Sequence, residues 1–160
     1  MSKSIFLAVS ALIILNSCSE KPNDLTYINS ELVAANLIQI CIDSTLQLDD
    51  GLNSDTYSVD FSKAKDLNSD GVRRFLLTHP STAQTNLDSL FQHIPKKNKY
   101  NFFFKQPIIR FEKIEKQNNG TILINTSKIR AAEGAIGTRI ILKKHGNKFK
   151  CMLSEITWIS

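Results

Sequence analysis

The 160-residue chain is sparing with the residues that build recognisable sites. Three cysteines are too few for a disulfide framework or a multi-cysteine zinc module. Three histidines fall at His79, His93 and His145, outside any H-x-x-H or H-E-x-x-H group. Each reads as structural or solvated, with His93 placed to favour a helix C-terminus. No G-x-S-x-G elbow, S-x-x-K or P-loop is present, so the many serines have no partner to activate them. Four prolines and six glycines exclude low-complexity and collagen-like chains. Long apolar runs are missing as well: the longest, Ile5 to Leu15, is little more than half of the roughly 20 residues that span a bilayer. Nothing here calls for a metal or cofactor, and the reading is not an enzyme.

What is present is an address. Lys3, the apolar run and the small residues ending at Ser17 have the order of a secretory leader. Leu15-Asn16-Ser17-Cys18 resembles the lipobox of bacterial lipoproteins, with Asn16 the unusual position. The resemblance implies cleavage before Cys18 and acylation of Cys18 by diacylglyceryl and palmitate-type chains. Two or three chains hold a protein at a membrane where one is marginal. It further implies a cell-envelope protein. Ser19, rather than aspartate, after the cysteine favours the outer membrane over the inner. The chain thus divides into a leader (1–17), a lipidated tether (18–23) and one α+β domain (24–160).

Charge is unevenly spread. Residues 18–92 hold five basic and eleven acidic side chains, whereas residues 93–160 hold fourteen and four. Such asymmetry suits an acidic protein partner or an anionic surface, or else a solvated lysine-bearing sheet face. Lys96, Lys97 and Lys99 run into Tyr100 and Phe102 to Phe104, a basic–aromatic mixture of the kind found at membrane interfaces, though the strand pattern favours Phe102 and Phe104 facing the core with Phe103 on the other face. Nucleic acid is not an expected partner of an exported lipoprotein.

Apolar residues at helical spacing predict a main helix over Asp24 to Leu48. A brief strand is expected at Tyr57 to Phe61 and a short helix over Ser69 to Thr78, stopped by Pro80. Ser81 and Gln84 fit a capping box for a further helix ending near Ile94. The period then changes. Strands are expected at Tyr100 to Lys105, Ile108 to Lys116, Thr121 to Ile129, Thr138 to Lys144 and Lys148 to Ile159, with hairpins at Asn119-Gly120 and His145-Gly146-Asn147. A bulge near Ser154-Glu155 would shift the apolar face of the last strand. The whole reads as N-terminal helices packed on a curved antiparallel sheet of about four strands. In element order this resembles the cystatin-like and NTF2-like architecture, which implies a cone between helix and sheet.

With Cys18 lipidated, Cys41 and Cys151 remain, both on apolar faces, where they could form a disulfide or stay buried thiols. A bridge closing about 110 residues would add roughly 4–5 kcal/mol in the chain-entropy model. Asp66-Leu67-Asn68-Ser69-Asp70-Gly71 matches half of a calcium loop but has Leu77 where the closing carboxylate belongs, so Asn68 or Ser69 is expected to cap a helix instead. The expected function is a membrane-anchored, non-catalytic binding or assembly module for a small apolar ligand or an acidic protein. Alternatives are an inhibitor or immunity protein, or an envelope hydrolase with a dispersed site including Asp60, Asp66, Asp70 and His79.

Overall fold

A wide apolar stripe dictates the first element. Within Glu31–Leu48 (α1), Val33, Ala34, Leu37, Ile38, Cys41, Ile42 and Thr45 are buried, a spacing that puts side chains on one helical face. The computed structural model describes residues 30–50, 54–95, 103–131 and 134–160. The expected helix start at Asp24, the lipobox cysteine Cys18, the lysine run 96–99 and Phe102 lie outside the described residues. Among the described residues no helix is long and apolar enough to cross a membrane.

After α1 come β1 (Ser58–Asp60), α2 (Ser69–Thr78), β2 (Ala83–Gln84), α3 (Leu87–His93), β3 (Phe103–Lys116), β4 (Thr121–Ala131), β5 (Gly134–His145) and β6 (Lys148–Ile159). The class is α+β with helices towards the N-terminus, as expected, but the sheet has six strands rather than about four, in the order β2-β1-β3-β4-β5-β6. It is also mixed: β1 runs parallel to both β2 and β3. Strands of two and three residues are too short to display a period of two. They join the sheet because β1, α2 and β2 form a crossover unit, which returns the chain in the same direction.

That crossover corrects the capping box. Ala83 and Gln84 form β2, and α3 begins only at Leu87, where Asn86 Oδ1 accepts from the Ser89 amide at 3.0 Å. The two aromatic-rich strands merge into one. Pro107 is tolerated there because it sits in an irregular stretch between Phe103 and Ile108, just before the pairing with β1 begins at Ile108. The connection expected over residues 131–137 is mostly strand, since β5 already starts at Gly134. Both hairpin turns form, with Gly120 (φ 77°) and Gly146 (φ 62°) taking the left-handed conformation.

β6 is irregular, though not at Ser154-Glu155. Leu142 pairs with Cys151 and Ile141 with Leu153, leaving Met152 as the extra residue; Thr157 is likewise extra between Ile156 and Trp158. Cys151 therefore keeps the α1 side with Phe149, while Leu153 passes to the opposite face. One core lies between α1 and the sheet and includes Leu37, Ile38, Ile42, Phe111, Ile122, Ile124, Ile140 and Leu142. A smaller one forms on the other face where α3 covers Phe104, Ile108, Ile129 and Ala135. Each fully buried aliphatic side chain contributes about 1.5–3 kcal/mol.

Candidate functional site

The helix–sheet layer leaves no room for a cone, since the α1 side chains Leu37, Ile38, Cys41 and Ile42 have no exposed surface. The cavity lies instead beside α2. Its walls begin with the chain between β1 and α2, which folds back in two successive turns, Ala64 N donating to Phe61 O at 3.0 Å and Leu67 N to Ala64 O at 3.1 Å. These turns present Phe61, Ala64, Lys65 and Leu67 to the space. The remaining wall is α2, whose start is set by Asn68. Its Oδ1 accepts from the amides of Asp70 (2.8 Å) and Gly71 (3.1 Å). The half-match to a calcium loop is thus a helix cap. Among the described residues no group of three metal-ligating side chains converges.

Helix α2 divides its surface cleanly. Gly71 and Phe75 are buried, and Gly71 lies so close to α1 that an added Cβ would stand 2.3 Å from Ala34 Cβ. Ser69, Val72, Arg73, Leu76 and Leu77 turn towards the cavity, and Gln84 of β2 completes it. The space measures about 620 Å³, within the usual range for a small-ligand site. Its wall is mainly apolar and carries two cations, Lys65 and Arg73, without any acid. Leu77 is 74% exposed at its rim.

The candidate catalytic residues do not meet. Asp60 is fully buried beneath α3, its Oδ2 accepting from Leu87 N at 2.9 Å and its Oδ1 from Ser62 N at 2.8 Å. Arg110 Nε stands 3.3 Å from Asp60 Oδ2, and Arg110 Nη2 2.7 Å from Asp88 Oδ1, both off the line of a good hydrogen bond. Glu112, the bulged residue of β3, lies 4.0 Å from the same guanidinium and accepts from Ser127 Oγ at 2.8 Å. This network binds β1, β3 and α3 together. Arg110 and then Lys63 hold the Asp88 carboxyl below its ordinary value. Asp70 and His79 sit at opposite ends of α2. His79 is occupied, stacked on Phe75 at 4.4 Å with Nδ1 2.9 Å from Phe75 O.

Cys41 and Cys151 are free thiols. Burial, and to a lesser degree the nearby Cys151, pushes the Cys41 thiol well above its usual pKa, which suits a buried core residue rather than a nucleophile. Phe104 enters the second core against Phe91, ring centroids 5.6 Å apart, whereas Phe103 is exposed. Sequence reasoning missed the cavity. Its one local signal was the D-x-N-x-D-G run, which marks the mouth but says nothing of the space beside it. No protein-family model, curated protein or solved structure matches the chain.

Proposed function

We propose that the protein is a lipid-anchored, non-catalytic binding module of the cell envelope, held by Cys18 and taking a small, mainly apolar ligand beside α2. In element order the architecture we propose is cystatin- or NTF2-like, with the short parallel strands β1 and β2 as its departure. The leader and lipobox support the location. The observation that carries the binding role is the open, apolar-walled cavity of about 620 Å³. A lipid anchor would confine such a module to a surface and raise its effective concentration there.

Two measurements test this reading. Radiolabelled palmitate should enter the expressed full chain and be lost in Cys18→Ser; labelling that survives the substitution overturns the anchor. Native mass spectrometry of protein extracted from its membrane should show a small-molecule adduct that Leu76→Trp removes by filling the cavity. No adduct on the unaltered protein overturns the binding role.

A further inference from the structure

We infer that the ligand of the α2 cavity is a single-chain amphiphile with an anionic head, of the fatty-carboxylate class. The inference rests on reading this cavity as the binding site and adds the chemistry of its occupant. Six of the ten lining residues, Phe61, Ala64, Leu67, Val72, Leu76 and Leu77, have side chains without hydrogen-bonding capacity, so the body of the ligand is hydrocarbon. The charged groups in the wall are Lys65 and Arg73, two cations with no acid among the lining residues. Lys65 makes no ion pair with any described residue. Arg73 has only an exposed contact with Asp70, at 3.8 Å, of the kind that contributes little and that a bound anion readily replaces. Ser69 and Gln84 add neutral hydrogen-bonding groups beside them. An uncharged hydrocarbon would leave both cations unused, and a cationic head would be repelled. A carboxylate head met by Lys65 or Arg73, with its chain against the apolar residues, uses both kinds of lining side chain.

The test uses the full chain in phosphatidylcholine nanodiscs, with empty discs subtracted, titrated with three ten-carbon probes. These are decanoate, uncharged glycerol monodecanoate and decyltrimethylammonium. Decanoate should bind roughly fivefold to tenfold more tightly than the neutral probe, as two exposed charge contacts allow, and the preference should shrink as salt rises. Because Lys65 and Arg73 are exposed, K65E/R73E should fold and should reverse the order in favour of decyltrimethylammonium. Equal binding of all three probes, unchanged by K65E/R73E, overturns the anionic head and leaves the binding role standing. A decanoate preference that survives K65E/R73E overturns it as well. Failure of every probe overturns the binding role with it. Sedimentation of the unanchored Cys18→Ser protein with phosphatidylglycerol but not phosphatidylcholine vesicles, abolished by K65E/R73E and without decanoate binding, would assign these cations to a membrane surface and overturn the proposal.

Discussion

Asp60 shows what one buried side chain can organise. It caps α3 through the Leu87 amide, holds Ser62 and faces Arg110, with no solvent contact of its own. Replacing it with Asn removes the charge that Arg110 was buried against. Arg110 keeps Asp88 and Glu112, but Asn can accept from only one of the Leu87 and Ser62 amides, so a loss of about 1–3 kcal/mol is expected by urea denaturation, the cost of a buried donor left unsatisfied. Asp88→Asn should be far milder, because Asp88 is half-exposed. Gly71 is a second such position. Alanine would gain about 1 kcal/mol in helix propensity, but its Cβ would fall 2.3 Å from Ala34 Cβ. Overpacking of this kind costs about 1–3 kcal/mol, so Gly71→Ala should lower stability and widen the α1–α2 approach. Thiol reactivity follows burial: a maleimide should label half-buried Cys151 first and Cys41 only on unfolding, read by peptide mass spectrometry.

Among elements, α2 is the one on which the cavity depends, and Asn68 sets where it starts. Asn68→Ala removes an acceptor for two amides and should cost about 1 kcal/mol. Since Val72 and Leu76 line the cavity from the same helix, ligand binding should weaken along with stability in a calorimetric titration. The C-terminus of α1 is completed from outside the helix. It has no basic residue in its last turn, and Lys128 of β4 reaches across to donate to the Asp49 carbonyl, with Asp49 Oδ2 3.7 Å away. Burial lowers the Lys128 pKa more than Asp49 and Asp50 raise it. The folded state therefore sheds this proton before the unfolded chain does, so Lys128 makes stability rise with pH between its lowered pKa and the ordinary 10.5. Buried Cys41 acts in the opposite sense over the same range, so the readout is a difference: by chemical denaturation, the stability of the natural chain relative to Lys128→Met should grow as pH rises through that window.

At the scale of the molecule, the acidic first half and basic second half meet through Asp60–Arg110, Asp88–Arg110 and Asp49–Lys128. Two of the fourteen basic residues of the second half thus tie β1, α3 and the end of α1 to the sheet, and most of the charge asymmetry is left over. Asp88 contributes to the acid limb, since its folded pKa lies below the ordinary 3.8. Its contribution is complete above that value and disappears as pH falls through the lowered one. An acid titration by circular dichroism should show Asp88→Asn losing this dependence. Trp158, the only tryptophan, reports on the far side of the sheet. It covers Gly137 so closely that a Cβ there would lie 2.0 Å from the indole Nε1. Gly137→Ala should displace the ring and shift its fluorescence to the red.

The sequence by itself determined the elements whose periods are long enough to read. These are the body of α1, all of α2 and β6, both glycine hairpins, and the α+β order that follows from them. Asn68 as a cap was also legible, because an Asx side chain serves the amides immediately after it. Tertiary structure decided everything that depends on residues far apart in the chain. It paired β1, whose brief strand the sequence did suggest at Tyr57 to Phe61, in parallel with β3 and added β2, too short for any pattern, to make a mixed sheet. It made a strand of Ala83-Gln84, where Ser81 and Gln84 had suggested a helix start, and gave β6 two irregularities, at Met152 and Thr157, in place of the one expected near Ser154-Glu155. It filled the expected cone and opened a cavity beside α2, where Phe61, Lys65, Arg73 and Gln84 converge from three separate segments. A period is a local property of the chain, whereas an enclosed space belongs to no single segment and exists only once they have packed.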